Sequence, residues 1–181
     1  MIEVQAENYL CFAALIEMIL KNQKSDVLNI SQFSIANELG VTVPKGYKRL
    51  VANQNYSDSE YEYGIKIDDE KLKYMLSSYG VKEVKNLPIN YMDEFSFFET
   101  IKKLLNDNYW VICGFSYGML YDDPELYDCG HVNLILNTIG DSKVVVYDPG
   151  PKNPGQKIIE EDNLYVAMRK HAGALTLIKF K

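Results

Sequence analysis

The chain has 181 residues, 47% hydrophobic and 24% charged, a globular balance that excludes intrinsic disorder for most of its length. Its 19 Lys and Arg against 25 Asp and Glu give a formal net charge of -6. With no basic run, that charge makes a poor surface for nucleic acid or anionic membranes. No stretch approaches the roughly 20 apolar residues of a membrane span.

The length fits one domain, or one domain built as two lobes. The opening segment, Met1 to Asn8, has no basic region, and the apolar run after it is short, so no signal peptide is read. The three cysteines, Cys11, Cys113 and Cys129, are an odd number with no CxxC pair. They argue against a disulfide scaffold and a structural zinc site. A reducing cytoplasm is the expected location, and it leaves thiols able to react.

In chain order, the first half reads as helices. Apolar residues at Leu10, Ala13, Ala14, Met18 and Ile19, with more between them, predict a buried helix over 9–21, capped by Asn8. Ser31 to Leu39 is a short second helix stopped by Gly40. Asp68 to Tyr79 is a third, closed by Gly80. Ser96 to Asn106 is a fourth, with Ser96 and Glu99 at capping-box spacing. Strands are predicted at 110–115, 131–138, 143–148 and 173–180, and Ile139 to Ser142 is a tight hairpin turn. The organisation is α+β, with residues 1–107 a mainly helical lobe and 108–181 a sheet lobe. Two segments carry little regular pattern but several tyrosines: 44–64 (Tyr47, Tyr56, Tyr61, Tyr63) and 116–130 (Tyr117, Tyr121, Tyr127). They read as solvated loops or as walls of a substrate cleft.

Cys11 falls in the first turn of the first helix, where the positive end of the helix dipole favours a reactive thiolate. From position alone, a core cysteine is the plainer reading. His131 changes the balance. It is one of only two histidines, and it opens a strand where a loop meets the sheet. The other, His171, lies beside Arg169 and Lys170 and reads as a surface residue. Asp148 ends the strand that pairs back on His131. A two-residue turn would set His131 directly opposite Asp148. A four-residue turn would set Asn133 opposite Asp148 and His131 diagonal to it. Both registers leave the two side chains on one face, whereas a register one residue out would separate them. Cys11 then fits a nucleophile, His131 its acid–base partner, and Asp148 the group that orients the imidazole. Gln5 carries an amide able to donate to a developing oxyanion, although it reads equally as a surface glutamine. Cys113 lies in an apolar strand and reads as core. Cys129, two residues before His131, is a loop residue or a second thiol near the site. A metal held by Cys11, Cys129, His131 and Asp148 is chemically conceivable, but nothing in their spacing calls for one.

This order resembles the papain-like cysteine peptidases: Gln5, Cys11 opening a helix, Gly130-His131 opening a strand, and Asp148 ending the next. It is closest to the C39-like peptidase branch, which includes the leader-peptidase domains of bacteriocin exporters. The resemblance implies a helical lobe packed against an antiparallel sheet lobe, with the site in the cleft between. It also implies a thioester acyl-enzyme formed on Cys11, with His131 as general base and acid, Asp148 orienting it, and Gln5 as oxyanion donor. A peptide or protein substrate is expected, and no cofactor or metal. Many members have Asp before the cysteine and Gly after it. Here the neighbours are Leu10 and Phe12, so Gly-Gly leader specificity is not carried over. No transporter segments follow, so an exporter's built-in peptidase is not expected. An amidase or acyltransferase using the same triad, and a non-catalytic binding module with the tyrosine loops as its interface, are the competing readings.

Overall fold

A computed structural model describes residues 3–23, 29–150, 154–171 and 173–181. Met1 and Ile2, at the start of the segment read for a leader, and Ala172 beside His171 lie outside the described residues. The chain divides into two compact units: residues 1–79 with 149–155, and residues 80–148 with 156–181.

The first unit is built on helix α1 (Cys11–Gln23), in which every residue from Phe12 to Leu20 is buried. An apolar surface on all sides makes this a core helix rather than an amphipathic one. Its one buried charge, Glu17, pairs with Lys21 one turn on at 2.7 Å. The helix begins two residues later than periodicity predicts. Tyr9 has φ 73°, outside the helical region, so Leu10 and not Asn8 stands at the cap position. Helix α2 (Gln32–Leu39) packs on α1. Ser31 and Ser34 cap it reciprocally, and Gly40 at φ 87° ends it. Helix α3 (Asp69–Ser77) is capped by Asp68, whose side chain accepts from the Lys71 amide. The segment 44–64 is not patternless. Strand β1 (Val41–Pro44) pairs in parallel with β2 (Gln54–Ser57), and a 3-10 turn follows at Glu60–Glu62.

The second unit is a six-stranded sheet with helices on one face. In chain order it contains β3 (Val81–Pro88), α4 (Glu94–Asn106), β4 (Trp110–Ser116), α5 (Tyr117–Tyr121), β5 (Gly130–Ile139), β6 (Lys143–Asp148), β7 (Gly155–Glu160), α6 (Glu161–Lys170) and β8 (Ala174–Phe180). The order across the sheet is β3-β8-β4-β5-β6-β7. The registers of β3 with β8, β4 with β8, β4 with β5 and β5 with β6 are all antiparallel. Residues 80–107, expected with the helical lobe, fall in this unit, where β3 pairs with β8 along its length. Helix α4 is capped by Asp93, whose carboxylate accepts from the Ser96 amide; the expected Ser96–Glu99 box is not the cap. Phe97 and Ile101 of α4 and Leu164 and Met168 of α6 bury against Val111, Cys113, Phe115, Val146, Leu175 and Leu177 of the sheet. Burying such side chains stabilises by about 1.5–3 kcal/mol each. The sequence pattern predicts neither β7 nor α6, and segment 116–130 holds α5 and a 3-10 turn at Pro124–Leu126. Among the described residues, no helix is long and apolar enough to cross a membrane.

Candidate active site

In the second unit, His131 opens β5 and Asp148 ends β6. Which face each side chain takes depends on two local features. The β5–β6 connection is the three-residue turn Gly140–Ser142, closed by Ile139 opposite Lys143, with Gly140 at φ 60°. That length is neither of the two expected, and continued unbroken it would put His131 and Asp148 on opposite faces. Between Ile135 and Asn137 the register shifts by one residue, a β-bulge at Leu136. Beyond the bulge, Leu134 faces Tyr147. The same register places Asn133 opposite Asp148 and His131 diagonal to it, on one face.

The imidazole and the carboxylate meet there. His131 Nε2 lies 2.7 Å from Asp148 Oδ1. His131 is 9% exposed and Asp148 1%. A buried carboxylate accepts, so the imidazole proton on that side sits on Nε2, which in the neutral ring leaves the lone pair on Nδ1. The second carboxylate oxygen accepts from Tyr121 Oη at 2.9 Å and from Lys157 Nζ at 2.5 Å. Asn133 Nδ2 donates in turn to Tyr121 Oη at 3.0 Å. Aromatic rings fix the plane of the imidazole: Phe115 and Tyr117 meet it edge-to-face at centroid distances of 5.7 and 5.4 Å. The backbone before His131 lies close under His171: a Cβ on Gly130 would come 2.2 Å from His171 Nε2, and that ring would have to shift. His171 is itself exposed, as expected, but its ring rests on this backbone. Partial desolvation of that ring lowers its proton affinity.

The environment is dry. Burial, and then the Asp148 charge, pushes the Tyr121 hydroxyl well above the usual phenol range, so it stays a neutral donor. Burial pushes the Cys113 thiol up to about 12. As expected, Cys113 is core, and its thiol donates to the Asn133 carbonyl oxygen.

In the first unit, Cys11 is the opening residue of α1 and is half-buried. Tyr9, two residues before it, holds a left-handed conformation that costs a non-glycine residue of order 1–3 kcal/mol. Its ring packs edge-on against Tyr47 and Tyr63 at 5.2 and 5.4 Å. Gln5 is buried rather than on the surface. Its Nε2 donates to the Glu7 carbonyl at 3.2 Å, its backbone amide donates to Pro149 O at 2.8 Å, and its Oε1 has no partner among the described residues. The segment carrying it is clamped by Gln32 of α2. Gln32 Oε1 accepts from the Ala6 amide at 2.7 Å, and its Nε2 donates to the Val4 carbonyl at 2.8 Å. Cys11 and Gln5 thus belong to one unit, and His131 and Asp148, in contact, to the other.

The sequence reading gave no role to Lys157 or Gln32, and it named Tyr121 only among the tyrosines of a loop or cleft wall. Asn133 was legible, because it lies two residues from His131 on one strand face. Tyr121 sits in a segment without periodicity, Lys157 in an unpredicted strand, and Gln32 in a helix with no chemical signature. Among the described residues, no group of three or more His, Cys, Asp or Glu side chains is placed to hold a metal ion.

No family model matches the sequence, and no curated protein matches it. Among solved structures, the chain is similar to the crystal structure of a "putative C39-like peptidase" from Bacillus anthracis, with a TM-score of 0.62. The match covers 100% of this chain and 96% of that one, at 13% identity. The fold is similar to that of a C39-like peptidase. Identity this low carries the fold and nothing finer.

Proposed function

We propose that the protein is a cysteine peptidase that hydrolyses a peptide or isopeptide bond through a thioester on Cys11. The observation that carries this reading is the buried 2.7 Å contact of His131 Nε2 with Asp148 Oδ1, in a fold similar to that of a C39-like peptidase. With Nε2–H held by the carboxylate, the Nδ1 lone pair takes the proton of the Cys11 thiol. The thiolate adds to the substrate carbonyl carbon, and the oxygen that becomes negative accepts a hydrogen bond from the Gln5 amide. One Gln5 N–H is used on Glu7 O, and the second serves the oxyanion. The C–N bond then breaks as the imidazolium returns its proton to the leaving amine. Water, losing a proton to His131, attacks the thioester and releases the acid and the thiol. Asp148 stabilises the imidazolium throughout.

Alkylation tests the nucleophile. Iodoacetamide is expected to label Cys11 well ahead of Cys113, whose thiol is buried and about 12 in pKa. His131→Ala is expected to slow the Cys11 reaction at least tenfold and to abolish cleavage of a peptide library. Equal labelling of all three thiols, or no labelling of Cys11 in folded protein, would overturn the assignment. The product mass, with and without an added amine, tells hydrolysis from acyl transfer.

A further inference from the structure

A cation stands behind the candidate pair. Strand β7 lies next to β6 in the sheet, and β6 next to β5. Along β7, Ile159 buries into the helix-covered core, and Lys157, two residues earlier, takes the same face by the period of the strand. His131, Asp148 and Lys157 therefore form a row across three adjacent strands. The carboxylate sits in the middle, with Oδ1 toward the imidazole at 2.7 Å and Oδ2 toward the ammonium at 2.5 Å. The lysine side chain is only 19% exposed, and its Nζ also lies 4.2 Å from the centre of the Tyr121 ring, whose hydroxyl donates to the same Oδ2.

We propose that Lys157 is a positioning residue for the His131–Asp148 pair, which turns Oδ1 onto the imidazole and lowers the affinity of that imidazole for its second proton. A carboxylate alone against an imidazole raises its proton affinity, because the negative charge favours imidazolium. A cation bonded to the other oxygen of that carboxylate offsets part of the attraction. The offset does not cancel it, since the ammonium lies one carboxylate width further from the ring. Other described groups around the pair are the Tyr117 ring and the Tyr121 hydroxyl from α5, the Cys113 thiol from β4 and, against neighbouring Gly130, the His171 ring. Lys157 is bonded to Asp148, and its full charge outweighs these neutral groups. In the peptidase reading, on which the catalytic meaning of this role rests, the lysine sets the pH range over which His131 exchanges protons with Cys11.

The test is an NMR titration of the imidazole C–H signals, with the two histidines told apart by His171→Gln. Lys157→Gln is expected to raise the His131 titration midpoint by about one unit, a tenfold gain in proton affinity. Lys157→Arg is expected to keep it within about 0.3 units of wild type. A midpoint that falls or stays put in folded Lys157→Gln overturns the proposal, as does an equal rise in Lys157→Arg, which keeps the charge. If the glutamine variant does not fold, the Lys157 ammonium nitrogen signal of the wild type decides. It must shift as His131 titrates, and an unresponsive signal also overturns the proposal. Peptide cleavage by the same proteins is scored separately. Absent cleavage with intact titration coupling sinks the peptidase reading and leaves the role of Lys157 standing. Cleavage without coupling does the reverse.

Discussion

Tyr121→Phe removes one oxygen from the middle of the network around Asp148, and the structure fixes what that costs. The hydroxyl donates to a buried carboxylate at 2.9 Å, a bond to a charged group worth about 1.5–3 kcal/mol. It also accepts from Asn133 Nδ2 at 3.0 Å. Asn133 is 0% exposed and its Oδ1 already lacks a partner among the described residues, so stranding Nδ2 adds about 1–3 kcal/mol. Lys157 remains on Oδ2 and offsets part of this. The expected loss is therefore about 2–4 kcal/mol, read as a lower urea midpoint at unchanged m-value. Asn133→Leu gives the control. It sacrifices one neutral hydrogen bond but removes an orphaned acceptor, so alone it should stay within about 1 kcal/mol of wild type. In the double variant no amide is left stranded, and the loss should fall short of the sum of the singles by about 1–2 kcal/mol. Additivity within about 0.5 kcal/mol, or a Tyr121→Phe loss below about 1 kcal/mol, would refute the network argument.

Three further outcomes are expected. Burial, with smaller contributions from Glu94 and Asp162, pushes Glu161 up to about 7 from its ordinary 4.5, and its Oε1 has no hydrogen-bond partner. The unfolded chain loses this proton first, so stability falls as pH rises from about 4.5 through 7. Glu161→Gln should stabilise the protein by about 1–3 kcal/mol at pH 8 and change little at pH 4, and equal effects at both pH values in urea titrations would contradict this. Gly118→Ala places a Cβ 2.1 Å from the Asp123 carbonyl oxygen. Backbone cannot move aside cheaply, so a loss of about 1–3 kcal/mol is expected, together with a changed tyrosine near-UV CD signal; an unchanged melting curve and spectrum would count against the α5 geometry. Gln32→Leu unpairs the Val4 carbonyl and the Ala6 amide on either side of Gln5. A loss of about 2–4 kcal/mol is expected, and in the proposed peptidase reading it accompanies a fall in kcat larger than any change in KM; wild-type kcat with the stability loss intact would separate Gln32 from that chemistry.

The amino-acid order alone determined a good deal. Apolar residues at helical spacing mark α1, and side-chain caps at Ser31 and Asp68, with Gly40 as a stop, bound α2 and α3 within a residue or two. These signals are local, so they survive without tertiary context. The four central strands are legible for the same reason, and so are the two residues at adjacent strand ends, His131 and Asp148. What the tertiary structure decided is whether those two share a face. The turn at Gly140–Ser142 sets one register and the bulge at Leu136 resets it. A bulge leaves no mark on hydrophobic periodicity when its residue is itself apolar. Lys157 was hidden differently: its partner is a carboxylate one strand away in the sheet, and strand adjacency depends on long-range pairing rather than on neighbours in sequence. Types and spacing thus named the imidazole and the carboxylate, and sheet pairing alone brought them into contact and put a cation behind them.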